Sequence, residues 1–263
     1  MTAEAASPVL VTSGWFGAAA WMRAYRVMLR WEIFGSRLLY PILIVSQILV
    51  GAGFVIGFGL LIPDLDLATA QYLTTGAVVM SLILVGLVVA PQLIAQQKME
   101  GSYDYVQSLP VPRSAVVAAS MTLSSLVAVT GIVAALSAAV WRYDVDLSLD
   151  PSIVPAFILT LACGSLLGSA VGHALDNPQA TLLFTQLGIL FIIGFSPVSF
   201  PMERLPGWLS GLHEYLPIHH MAVVVRASLT DGLVDPTFRS WFVLTVWAVM
   251  AALVTGLVMG RRR

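Results

Sequence analysis

Charge is scarce in this sequence. Asp, Glu, Lys and Arg make up only 10% of its 263 residues, against about a quarter in soluble domains. The net charge of −1 argues against a nucleic-acid binder, which needs a basic surface. The single cysteine, Cys163, excludes an intrachain disulfide and a structural zinc site built from cysteines. No G-x-x-x-x-G-K-(S/T) run occurs, so the chain carries no P-loop of its own for ATP. Residues 1–13 lack the basic region and apolar core of a signal peptide. They read as a flexible N-terminus, and the first true span is expected to be the first insertion signal.

What is abundant is apolar surface: 58% of residues are hydrophobic, and the mean hydropathy is +0.89. Six runs are long enough to cross a bilayer, at about 38–62, 70–94, 114–141, 152–171, 179–195 and 241–259. None of the six contains Asp, Glu, Lys, Arg or His. Proton- and ion-coupled pumps keep ionisable groups at membrane depth because a relay needs them. Their absence points to an external energy source over an ion-coupled carrier. A packing protein or membrane scaffold that transports nothing fits the same absence.

The expected fold is therefore an all-α integral membrane protein with a six-span domain over 38–263. Pro91, near the end of the second run, is expected to kink it. Gly164, Gly168 and Gly172 place small residues at a spacing that lets helices approach closely. Ahead of the spans, 14–37 reads as a helix. Arg23, Arg26, Arg30 and Arg37, spaced by three, four and seven, form one stripe at about 100° per residue. Trp21, Tyr25 and Met28 lie across from it. That pattern suits an amphipathic helix in the membrane interface with its aromatic side down; a basic anchor before the first span fits it too. Glu32 falls on the aromatic side and calls for a partner that the sequence does not name.

Two polar interruptions stand out. Residues 95–115 carry Lys98, Glu100, Asp104 and Arg113, and Gly101 and Pro110-Val111-Pro112 bracket a stretch that suits a short helix, since proline cannot continue one. It reads as a docking element at the membrane surface or as a solvated connector. Residues 196–235 hold four prolines among charged and histidine residues. They read as short helices that dip into the membrane and return, backbone tolerated there only where protein or water satisfies it. With the N-terminus inside, Arg23, Arg26, Arg30, Arg37, Lys98, Arg113 and Arg261–Arg263 are cytoplasmic. Arg142, Arg204, Arg226 and Arg239 are outside. Nine against four is a positive-inside bias, which puts both termini and the 95–115 loop in the cytoplasm of a multi-pass inner-membrane protein.

Catalytic chemistry is weakly supported. Ser165 sits in G-S-L-L-G, which is not a nucleophile elbow. His219 and His220 point to different faces and bring no third ligand. Cys163 reads as a small core residue. No catalytic residue and no metal site is assigned.

Glu100-Gly101 followed by Leu109-Pro110-Val111-Pro112-Arg113 resembles the E-G-(T/S)-x-(E/D)-x-L-x-x-(L/T)-P-V-x-R stretch of the ABC transporter type-2 permeases, the membrane subunits of drug, lipid and polysaccharide exporters. Tyr105-Val106 departs from it where an acidic residue and leucine are common. A second match, Pro197, Pro201-Met202-Glu203, Leu205-Pro206-Gly207-Trp208-Leu209, Leu216-Pro217-Ile218-His219-His220 and Arg226, resembles the extracellular re-entrant hairpin of the same family. The resemblance implies an ATPase-coupling element at Glu100, Gly101, Tyr103, Asp104, Leu109, Pro110 and Arg113. It also implies an interfacial connecting helix bearing the four arginines. Pro201, Glu203, Arg204, Pro206, Trp208, Pro217, His219 and Arg226 would form an outer gate. The second and fifth spans would line a mostly apolar substrate path, where Thr74, Thr75, Thr181, Thr185 and Gln186 offer sparse hydrogen bonds. The implied assembly is an exporter of drugs, lipids or glycolipids. It pairs the chain with a second copy or a related permease, two P-loop ATPase subunits that hold ATP and Mg, and membrane lipids; no cofactor belongs to this chain.

Overall fold

The computed structural model describes residues 17–62, 65–148, 150–235 and 237–260. The flexible N-terminus expected at 1–13 and the arginines at 261–263 lie outside the described residues. Every regular element among the described residues is helical. α1 is Ala18–Gly35, α2 Leu39–Leu61, α3 Leu67–Leu84, α4 Ala90–Met99, α5 Ser102–Ser108, α6 Arg113–Tyr143, α7 Ile153–Ala174, α8 Pro178–Phe195, α9 Gly207–His213, α10 Pro217–Leu229 and α11 Phe238–Gly260. Six helices are long and apolar enough to cross a membrane, with α3 and α4 forming one of them, Leu67–Met99.

The spans begin and end where local chemistry dictates. Asp66 accepts a hydrogen bond from the Thr69 amide at 3.0 Å. Asn177 does the same for Gln179 at 2.9 Å, so each satisfies one orphan donor of a helix start. Pro178 and Pro217 occupy first-turn positions where a missing N–H costs nothing. Asp144 closes α6 in the left-handed region, at φ 50°. The break expected near Pro91 takes the form of a π turn over Val85–Val89. Proline cannot donate to the carbonyl four residues back, and a wider turn accommodates that loss without ending the helix.

The helices run further than the apolar runs predict. Lys98 is in α4, Arg113 begins α6 and Arg142 lies in its last turn, His173 lies in the last turn of α7, and Arg239 is in the first turn of α11. The charge-free character therefore holds for the middles of the spans and not for their ends.

α3 is the centre of the bundle, with Thr74–Ile83 buried without a break. α2 packs along α6, α11 along α7, and α10 fills the space between α3, α7 and α11. Gly86 in the π turn meets α7 so closely that a Cβ there would lie 2.6 Å from the Gly164 carbonyl carbon and 2.7 Å from the Ser165 nitrogen. That near-contact of backbones needs small residues on both helices. By contrast α2, α8 and α11 leave most of their apolar surface uncovered: 17%, 17% and 22% of their most apolar windows are buried, against 67% for Leu67–Met99. Such faces suit lipid or a second subunit.

Candidate functional site

The polar chemistry gathers at the two ends of the bundle. At the first end, Gly101 takes φ 74°, which glycine adopts without strain. It turns the chain out of α4 into the seven-residue α5. α5 ends at Leu109, which is extended (φ −69°, ψ 140°) ahead of the prolines. Its inward side chain is Tyr103, 5% exposed, whose hydroxyl lies 2.8 Å from Nδ1 of His173 at the end of α7. Lys98 reaches the same helix end. Its Nζ donates to the carbonyls of Gly172 at 2.7 Å and Leu175 at 2.6 Å, where a cation satisfies orphan acceptors and the negative helix terminus. The ammonium also lies 5.0 Å from the Tyr103 ring centroid. Glu100 is exposed and accepts from Nε2 of Gln96 at 2.7 Å. Asp104 and Pro110 are exposed, and Arg113, half-buried, begins α6 beside Gly260 of α11.

α1 stands against this end of α6. Its arginine stripe, Arg23, Arg26, Arg30 and, just beyond the helix, Arg37, is exposed as the spacing predicts. The aromatic side does not face down, however. Trp21 Nε1 donates to Ser114 Oγ at 2.9 Å, Tyr25 shares a 2.9 Å hydrogen bond with Thr122, and Met28 is 3% exposed. The face expected to enter lipid is the face that docks on α6. The partner of Glu32 is a hydroxyl: Ser120 of α6 donates to its Oε1. Burial pushes the carboxyl up to about 7, and the Ser120 hydrogen bond pulls the other way without offsetting it. Glu32, Ser120, Ser124, Tyr40 and His173 line a cavity of about 60 Å³ among α1, α2, α4, α6 and α7. Trp31 of α1 and Tyr105 of α5, both exposed, bring their ring centroids to 5.6 Å. The departure at Tyr105 noted in the sequence thus joins the two surface helices.

At the opposite end, Arg226 of α10 is 1% exposed. Its Nε donates to Thr75 Oγ1 at 3.0 Å, its Nη2 donates to the Val198 carbonyl at 2.6 Å, and its guanidinium carbon sits 3.5 Å from the Tyr72 ring centroid. One side chain thereby fastens the 196–199 turn and α10 to α3. Glu203, His219 and Arg226 share a cavity of about 330 Å³ with Glu214 and Arg239, which form an ion pair at 3.1 Å. Pro201, Pro206 and Pro217 start the short helices. Arg204 and Trp208 point away as exposed side chains. His220 is held between Ser240 and the Glu214 carbonyl.

The threonines of the expected path are interior. Thr74, Thr75, Thr181 and Thr185 are each at most 1% exposed and bond carbonyls of their own helices. Thr185 also accepts from Gln92 at 3.3 Å. Gln186 alone of the five is exposed. The sequence marks Lys98 only as a charge of the 95–115 segment and gives no prominence to His173 or the α6 hydroxyls, although Ser120 and Ser124 already lie one turn apart.

The family described as ABC-2 family transporter protein matches residues 63–258. No curated protein matches the chain.

Proposed function

The chain belongs to the ABC-2 transporter family, is the multi-pass permease component of an ABC transporter, and from that premise we propose that it serves an ATP-driven exporter of hydrophobic or amphipathic molecules. Export direction and cargo class follow the family resemblance and the apolar, charge-free middles of the spans. The observation that carries the reading is the build of the 100–113 segment. A short helix, turned out by Gly101 and stopped by Leu109-Pro110, is anchored to α7 through Tyr103, beside the α4 anchor Lys98, and to α1 through the Trp31–Tyr105 contact. A push on α5 from a cytosolic ATPase would reach two long helices through these anchors, as a rigid-body switch requires.

In this reading Glu100, Gly101, Tyr103, Asp104, Leu109, Pro110 and Arg113 carry coupling, with ATP and Mg held by two ATPase subunits. The arginine side of α1 faces lipid headgroups. The segment 196–235 forms an outer re-entrant gate whose hinge is the Arg226 clamp. The second span, α3 with α4, and the fifth, α8, border a path completed by a second permease, with Gln186 the sequence-assigned polar group on its open side. The termini and the 100–113 segment are cytoplasmic at the inner membrane. The test is co-purification with the cognate ATPase, followed by cargo-stimulated ATP hydrolysis in wild type and in a chain lacking 103–109. Deletion is expected to abolish stimulation while membrane insertion persists. Full stimulation in the deleted chain would remove the docking role, and transport with no ATPase bound would leave a carrier of another class.

A further inference from the structure

A second feature at the α5 end carries chemistry that the coupling role does not use. One face running from Val89 through Gln92, Leu93, Gln96 and Met99 of α4 to its C-cap Glu100 borders a groove of about 430 Å³, a spacing of three and four that keeps them on one helix face. Leu39 and Leu43 of α2 form one wall and Leu182 of α8 the other. The groove is apolar except for one ladder, Gln92, Gln96 and Glu100, placed one helical turn apart along α4.

The ladder has one full charge, the Glu100 carboxylate. Gln92 donates one N–H to Thr185 Oγ1 at 3.3 Å. Gln96 donates one N–H to the Glu100 carboxylate at 2.7 Å; a carboxylate can only accept, so the amide must turn its donor toward it. Each amide keeps its carbonyl oxygen and a second N–H, and the ladder ends in a carboxylate. The nearest cation in sequence, Lys98, spends its ammonium on the α7 carbonyls on another side of α4, and no ion pair of Glu100 occurs among the described residues. A carboxylate at the mouth of a groove with apolar walls complements a ligand that has an apolar body and a positive head.

We propose that this groove binds lipophilic cations, with the apolar body between α2 and α8 and the positive centre at Glu100. The assignment rests on the permease reading above and narrows its cargo from amphiphiles in general to cationic ones. It gives Glu100 a recognition role besides its place at the head of the coupling segment.

The test is direct binding to the full chain in nanodiscs of zwitterionic lipid, with empty nanodiscs subtracted. Tetraphenylphosphonium and tetraphenylborate serve as probes, because they share a shape and differ in the sign of charge. Wild type is expected to bind the cation about tenfold or more tightly than the anion, and Glu100→Gln to lose about that factor for the cation alone. Leu43→Trp, which fills the groove from α2, is expected to remove the saturable component for the cation while leaving the fold intact by circular dichroism. Equal affinity for the two ions in wild type, or no saturable binding of either, overturns the proposal, the latter being the result if a second copy covers the groove. So does an unchanged affinity in Glu100→Gln. The wild-type comparison stands even where a variant fails to fold. Cation binding without any cargo-stimulated ATP hydrolysis in the assembled complex would sink the exporter reading and leave the groove. Stimulation by neutral amphiphiles with no preference for the cation would do the reverse.

Discussion

Replacing Glu32 by glutamine tests how α1 is held to the bundle. The Glu32 carboxyl is pushed from 4.5 to about 7 because burial disfavours its charged form. The titratable groups that share its cavity are Tyr40 of α2 and His173 of α7, and no cation pairs with it among the described residues. Below pH 4.5 the folded and unfolded chains both hold the proton, and the site imposes no penalty. As pH rises toward 7 the unfolded chain ionises while the folded one keeps its proton, so stability falls and reaches its floor above 7. At about 1.4 kcal/mol per pH unit the whole effect is at most ~3 kcal/mol. Glutamine keeps an acceptor for Ser120 and cannot ionise. The difference in thermal midpoint between Glu32→Gln and wild type, measured in detergent from pH 4.5 to 8, is therefore expected to grow with pH. It approaches ~10 °C at roughly 2–4 °C per kcal/mol for a chain of this size. His173 is present in both proteins and drops out of the difference. A difference that is flat across the range, or that widens as pH falls, would refute the assignment of a buried, neutral Glu32.

Two further outcomes test the packing. Arg226→Lys keeps the charge but cannot donate to Thr75 and the Val198 carbonyl at once or lie flat on Tyr72. Thermal unfolding should report a loss of about 3 kcal/mol, from two charge-assisted hydrogen bonds of about 1.5–3 kcal/mol each with partial replacement, and a variant as stable as wild type would show that the clamp contributes nothing. Gly86→Ala forces a Cβ onto the α7 backbone, which cannot retreat as a flexible side chain would, and overpacking of that kind costs about 1–3 kcal/mol. Gly53→Ala in α2, where nothing lies within 4 Å of the new atom, should cost nothing and serves as the matched control in the same melt; equal effects at both sites would refute the close crossing.

How far the sequence alone reaches depends on what kind of force sets each feature. The six spans were legible because hydropathy over some twenty residues outweighs any tertiary contact. So was the brace around α5, because glycine and proline act through their own dihedral angles. The pairings were not legible, because they join residues far apart in the chain: Arg226 meets Thr75 across 151 positions and Tyr103 meets His173 across 70. The aromatic side of α1 shows the failure most clearly. Amphipathicity says that such a face is covered, and it cannot say by what; lipid and the Ser114–Ser120–Thr122 side of α6 satisfy it equally well. Helix length decided the last case. An apolar run that stops at Ile94 leaves Gln96 and Glu100 in a polar loop, where a carboxylate is only a solvated charge. The helix continues to Met99 because Gln, Lys and Met favour helix and no breaker intervenes before Gly101. Those five added residues carry Gln96 and the preceding Gln92 in register with Glu100 along one face. A loop charge becomes the end of a polar ladder beside an apolar wall, and so the same residues that suggest docking to an ATPase also suggest the sign of the cargo.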